Sequence, residues 1–317
     1  MDAAHLSRVI EEANLYQSSR ILVALASAAL FAGCNPATQN APLPYSDAPQ
    51  VRAEVVYRLA VHPLHNPQKL SAAYQPLVDH LNRQLKGARI ELEASRDYQA
   101  FEVKLRRREP AFLLPNPWQT LQAQKVGYHV IAMAGNAEDF KGIFIVRKDS
   151  GIVKPAELKG KTVAYPSPTA LAAAIMPQQF LYENGIHIGR DLQNVYVGSQ
   201  ESSIMNVYLG QAAAGATWPP PWRLFQRDHP AEAAQLKVAW ETPSLINNSV
   251  MVRDDVPTAV REGVRRTLME LAETPQGAAV LGAMETARFH PANDASYAVV
   301  AQYVARFEKD VRPVEPP

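Results

Sequence analysis

A chain of 317 residues, 47% hydrophobic and 20% charged, is long enough for more than one buried core, and that composition excludes a disordered or fibrous protein. A formal charge of +1 gives no basis for a nucleic-acid partner or for an acidic membrane surface. Cys34 is the only cysteine, so an intramolecular disulfide and a cysteine nucleophile elsewhere in the chain are both excluded.

In chain order, the first feature is an apolar run, Ile21–Phe31, preceded by Arg20 and followed by Ala32-Gly33-Cys34. The run is too short to cross a bilayer and fits the hydrophobic region of a signal peptide over residues 1–33. Leu30-Phe31-Ala32-Gly33-Cys34 resembles the lipobox of bacterial lipoproteins, which implies that Cys34 is lipidated and becomes the first mature residue. Residues 34–51 are rich in proline, alanine and polar side chains without periodicity, and read as a tether. Together these segments predict a periplasmic or cell-surface protein, lipid-anchored to a membrane.

The body then alternates strands and helices. Val55–Val61 is a predicted strand, and Leu70, Tyr74, Leu77, Val78 and Leu81 fall at helical spacing over residues 68–85. Arg89–Ala94 is a second strand, a helix starts at Tyr98, and Ala111–Leu114 is a short strand ending at Pro115-Asn116-Pro117-Trp118. Further strands are predicted at Gly142–Arg147, Lys161–Tyr165, Asn194–Val197, Ala212–Thr217, Leu236–Trp240 and Ser249–Arg253. Helices are expected from Ala170 to Gly185, from Ser199 onward, and over most of the chain after Thr258. Such alternation argues for an α/β fold with largely parallel sheets.

From about Val55 to Phe307 the order of short motifs resembles the periplasmic binding proteins of the phosphate, phosphite and phosphonate transport family. The resemblance rests on Arg58-Leu59-Ala60-Val61 with Asn66-Pro67, on Tyr74-Gln75-Pro76-Leu77, and on Asp97-Tyr98-Gln99-Ala100. It continues through Val146–Gly151, Leu158-Lys159-Gly160-Lys161 and Val252–Pro257. It implies a type II periplasmic-binding-protein fold: two lobes, each a mixed sheet flanked by helices, joined by two crossing strands. Lobe one is expected at residues 52–145 and 246–317, lobe two at 146–245.

The family holds its anion with a serine-threonine-serine cluster at a helix start, where unpaired amides and the helix dipole favour negative charge. Here Pro168-Thr169-Ala170 stands at those positions, so Thr169 keeps the one hydroxyl and neighbouring Ser167 supplies another. Gln200 occupies a usual histidine position, and Gln200 and Ser202 are expected contacts, with Ser199 and Glu201 capping the helix. Near Thr217 and Trp218 the carboxylate that meets an aminophosphonate's amine is missing. Trp118 and Trp218, at matching edges of the two lobes, are expected as aromatic walls, with Trp222 structural. Asn116, Gln119, Tyr98 and His62 follow strand ends, where α/β sheets place ligands, and Asn247 lies where the chain crosses back. His62 and His65 have His-x-x-His spacing but no third partner in sequence, so no metal is expected, and no cofactor.

The expected function is capture of a small ligand, phosphonate- or oxyanion-like or a larger organic solute, for an ABC importer. The permease would be the partner, and the protein a monomer. The alternative is a ligand-sensing partner of a membrane receptor such as a histidine kinase. An enzyme is not expected, because the chain carries no nucleophile elbow, His-Glu-x-x-His or glycine-rich phosphate loop.

Overall fold

The computed structural model describes residues 54–314, so the predicted leader, Cys34 and tether lie outside the described residues. Eleven strands are described: β1 (Val55–Val61), β2 (Ala88–Glu93), β3 (Phe112–Leu114), β4 (Tyr128–Ala134), β5 (Ile143–Arg147), β6 (Thr162–Tyr165), β7 (Gln193–Tyr196), β8 (Ala214–Thr217), β9 (Leu236–Glu241), β10 (Ser249–Arg253) and β11 (Phe289–His290). The helices of eight or more residues are α1 (Pro67–Gln84), α2 (Tyr98–Arg106), α3 (Pro117–Gln124), α4 (Met176–Glu183), α5 (Gln200–Tyr208), α6 (Pro219–Asp228), α7 (Thr258–Glu270), α8 (Pro275–Ala283) and α9 (Ala298–Asp310).

The strands form two sheets, ordered β11-β4-β10-β3-β1-β2 and β7-β6-β8-β5-β9. Both are mixed. β1 runs parallel to β2 and β3, and β6 parallel to β7 and β8. Three strands depart from the parallel pattern: β11 lies antiparallel on β4 at the edge of the first sheet, and the other two are the strands entered after the chain changes sheets. β10 inserts antiparallel between β3 and β4, and β5 inserts antiparallel between β8 and β9. A strand arriving from the other lobe does not come through a local helical crossover, so nothing forces it parallel.

Local chemistry explains most boundaries. Asn66 caps α1 by accepting from the Lys69 N–H at 2.9 Å, and Pro67 sits at the first helical position, where a missing N–H is harmless. The buried residues of α1 are the five apolar positions read from the sequence, and they pack on β1 and β2 with Leu59 and Ile90. The helix predicted from Ala170 begins as a π-helical turn, Leu171–Ile175, before α4. Pro177 has no N–H to bond one α-turn back, and the wider turn absorbs that missing bond. The second sheet is packed on one face by Phe144, Val163, Tyr165 and Leu181, and on the other by Ile145, Ile204, Val207 and Phe225.

Candidate functional site

Five strands deliver residues to one place. His62 follows β1, Asn116 follows β3, Ser167 follows β6, Gln200 opens the helix after β7, and Trp218 follows β8. All five lie beyond carboxyl ends of strands that pair in parallel, the position where α/β sheets leave a crevice. His62, Tyr98, Asn116, Phe140 and Asn248 come from the first-sheet side and meet Ala170–Ala173, Gln200 and Trp218 from the second around a void of about 10 Å³. That is room for about one water, so anything larger enters only when the two sides part.

The polar groups are organised in two sets. In the first, Asn116 caps α3 with a reciprocal pair: its Oδ1 accepts from the Gln119 N–H at 3.0 Å, while Gln119 Oε1 accepts from the Asn116 N–H at 3.1 Å. This fixes both amides. Asn116 Nδ2 then donates across the cleft to the Thr169 carbonyl at 3.1 Å, and Gln119 Nε2 donates to Glu102 Oε1 at 3.0 Å. Thr169 Oγ1 donates to the same carboxylate oxygen at 2.7 Å, and the Ser167 hydroxyl stands 3.0 Å from that of Thr169. In the second set, Gln200 Nε2 donates to the Tyr98 hydroxyl at 3.2 Å and Gln200 Oε1 accepts from Thr217 Oγ1 at 2.8 Å.

His62 lies between the sets. Its Nδ1 is 3.0 Å from the Leu114 carbonyl, which only accepts, so Nδ1 carries the proton. Burial lowers its pKa to about 4, the Leu114 bond opposing only in part, so near neutrality Nε2 is a bare acceptor. Burial likewise raises the Tyr98 phenol, against the bond from Gln200, and keeps its proton in place. The His62 ring meets Tyr98 edge-on, and Trp218 tilts against Phe140 with centroids 5.6 Å apart.

Of the residues singled out in the sequence, His62, Tyr98, Asn116, Gln200 and Trp218 line the void, and Gln119, Ser167, Thr169 and Thr217 are bonded directly behind them. Three stand elsewhere. Trp118 is buried in the first core and borders a surface groove with Val304 of α9. Ser202 bonds Ser199 at the start of α5, where Ser199 Oγ accepts from the Ser202 N–H at 3.1 Å. Asn247 ties its amide to the Asn136 carbonyl and the Asn248 N–H, both at 2.8 Å, in the segment returning to the first sheet. Its neighbour Asn248 faces the void and has a buried Oδ1 without a hydrogen-bond partner.

Sequence reasoning missed Glu102 and Phe140. Glu102 shares one buried face of α2 with Tyr98, Phe101 and Leu105, and a charge on an otherwise apolar face was the available signal. Phe140 ends a loop and carried none.

Ion pairs join the two sides at the rim. Lys69 Nζ of α1 lies 2.7 Å from Glu201 and 3.2 Å from Asp228, and His229 Nε2 is 3.1 Å from Glu201. Burial works against the Lys69 charge, but the two carboxylates outweigh it and its pKa is raised. Arg223 of α6 reaches Asp139 and Glu285, each at 3.1 Å. Arg306 of α9 pairs with Glu183 of α4.

Residues 59–297 match the family model described as the periplasmic substrate-binding protein of phosphonate ABC transporters. Among solved structures, a binding-protein component of a phosphonate ABC transporter from Pseudomonas aeruginosa is 16% identical with a TM-score of 0.73, over 81% of this chain and 88% of that one. A Prochlorococcus marinus protein in complex with methylphosphonate is 19% identical with a TM-score of 0.72, over 80% of this chain and 98% of that one. The periplasmic aliphatic sulphonate binding protein of Escherichia coli is 14% identical with a TM-score of 0.55, over 80% and 87%. At these identities the structures speak for the fold, that of the type II periplasmic binding proteins.

Proposed function

We propose, from the premise that this chain belongs to the family of periplasmic substrate-binding proteins of phosphonate ABC transporters, that it captures a small solute between its two sheets and hands it to an ABC permease. The observation carrying this reading is the convergence of residues from both sides on one void, hydrogen-bonded across it by Asn116 to Thr169 and by Gln200 to Tyr98. A ligand touching both sides favours the closed arrangement over an open one by its extra contacts there. We assign ligand contact to His62, Tyr98, Asn116, Gln200, Trp218 and Asn248, with Gln119, Ser167, Thr169 and Thr217 holding them. Trp118, Ser202 and Asn247 take supporting roles on this reading.

The hinge, in the same proposal, is the pair of segments 135–142 and 242–248, because Ile143 already pairs with β8 and Ser249 already pairs with β4. The leader completes the proposal: lipidation at Cys34 would hold the body near a membrane on the tether. Mass spectrometry of the membrane-bound protein tests this, an unmodified Cys34 or an intact leader being the contrary result.

A thermal-shift screen followed by calorimetry tests the receptor reading. A solute at a hundred times its Kd adds about 2.7 kcal/mol to stability and raises Tm. The screen should span phosphate, phosphonates, sulphonates and aromatic or amphipathic solutes. If no solute in so broad a panel shifted Tm, the receptor reading would be lost.

A further inference from the structure

The bond from Thr169 Oγ1 to Glu102 fixes a side chain of the cleft segment Ser167-Pro168-Thr169. The backbone of that segment is fixed by two consecutive carbonyls. The Thr169 carbonyl accepts from Asn116 Nδ2 at 3.1 Å, and the Pro168 carbonyl accepts from Arg312 Nη2 at 2.9 Å. Pro168 has no N–H, so its carbonyl is the one backbone group by which it can be held. Both peptide bonds are trans, so each C=O and the N–H that follows it point opposite ways. With the carbonyls drawn outward, the Thr169 and Ala170 amides turn back onto Ser167, reaching its Oγ at 3.4 Å and its carbonyl at 3.2 Å. This turn is the start from which the helical residues beyond Ala170 continue.

Arg312 comes from the end of the chain. It follows α9, whose buried residues Val300, Val304 and Phe307 belong to the first core, as does Val314 two positions beyond it. The segment is thus pinned on both sides of Arg312, and the guanidinium reaches over to the second-sheet side. Its Nε donates to Oε1 of the fully buried Gln178 of α4 at 2.8 Å, and Gln178 Nε2 donates onward to the Tyr196 hydroxyl of β7 at 3.2 Å. Nη1 folds back on the Pro313 and Val314 carbonyls at 2.8 and 3.2 Å. The guanidinium carbon lies 5.2 Å from the Phe307 ring centre and 6.0 Å from that of Tyr196, one ring from each side. A rigid planar fork bonded along several edges at once has one position, and it imposes that position on the Pro168 carbonyl.

We infer that Arg312 is a positioning residue of the cleft: the C-terminal segment 311–314 sets the backbone of residues 167–169 from behind. The inference rests on the receptor reading for the meaning of that cleft segment. It adds a residue that does not line the void and acts only through the Pro168 carbonyl and Gln178. Asn116 and Arg312 both reach the turn from the first-sheet side, so the turn takes its shape as the two sides meet.

Hydrogen exchange on the full chain, with no solute added, tests this. The Ala170 amide, bonded to the Ser167 carbonyl, and the Ala174 amide, bonded to the Ala170 carbonyl at 2.7 Å, report the turn. Arg312→Met keeps an unbranched apolar stem between the two rings and removes every donor. It is expected to speed exchange at both amides by about tenfold or more, as the loss of a hydrogen bond from a charged group implies. Amides of α9 and β5, and Tm, should change little. Arg312→Lys, which returns a charged donor on a stem of similar length, should recover part of the lost protection. Unchanged exchange at Ala170 and Ala174 in Arg312→Met, an acceleration shared equally by α9, a collapse of Tm, or no recovery in Arg312→Lys each overturns the inference. Because no solute enters the experiment, its outcome leaves the receptor reading to the solute panel.

Discussion

Tyr98 and His62 carry the most direct consequences at the scale of single residues. Tyr98→Phe removes the acceptor of Gln200 Nε2 and a phenol proton that faces the void, at the cost of a single atom. A solute found by the panel should bind about tenfold more weakly to it, in line with losing a hydrogen bond to a charged group, and unchanged affinity by calorimetry would place the solute elsewhere. His62 gives a pH dependence. An unfolded histidine titrates near 6.5 and the folded one near 4, so between those values the unfolded chain takes a proton that the folded chain refuses. Stability from His62 is therefore whole above pH 6.5 and falls by ~3 kcal/mol as pH approaches 4. His62→Gln should flatten the curve of Tm against pH across that window, and an unaltered curve would refute the assignment. The residue types around the cleft were legible because they follow strand ends. Glu102 was not, since its meaning comes from a threonine 67 positions away that only the closed fold brings within 2.7 Å.

Among the elements, strands with one strongly apolar stretch between turn residues were readable, as β1, β6 and β10 illustrate. β4 was not. YHVIAMA is a short, nearly continuous apolar run, and such a run does not distinguish a buried strand from a helix segment by period. The π turn ahead of α4 was equally invisible, because apolar small residues at 170–175 fit any helical pitch and the cause, Pro177, lies beyond them. Close packing of helix on strand gives the prediction at this scale. A Cβ on Gly215 of β8 would stand 2.4 Å from the Ser203 carbonyl oxygen and 2.8 Å from Val207 Cγ2 of α5. Ser203 has little room to retreat, its hydroxyl lying 2.9 Å from the Ala164 carbonyl and 2.8 Å from that of Ala216. Gly215→Ala should cost about 1–3 kcal/mol in denaturant unfolding, and a neutral effect would mean that α5 is free to shift.

For the whole molecule, the open–closed balance is set by what crosses between the two sides. The rim pair of Lys69 with Glu201 and Asp228 is about a third exposed, with side-chain exposures of 31%, 34% and 29%. Pairs of that kind contribute ~0–1 kcal/mol and are screened by salt. This cluster alone therefore adds little to closure, and on the proposed receptor reading a solute supplies the larger share. Lys69→Ala should speed hydrogen exchange at the amides around Leu171–Ala173 by at most about fivefold at low salt and by nothing near 1 M, where the screening length is ~3 Å. A much larger effect would make the rim, not the solute, the main closing force. The two-lobed plan was legible from the order of strands and short motifs over most of the chain, whereas the antiparallel entry of β5 and β10 follows from crossings that no local pattern records.

Closure on a solute is tested most directly by small-angle scattering of the purified chain during titration with the solute that gives binding heat. The radius of gyration should fall as the solute saturates, and Tyr98→Ala with Trp218→Ala should abolish both the fall and the heat. Heat that persists in that double variant, with no change in the radius of gyration, would contradict it.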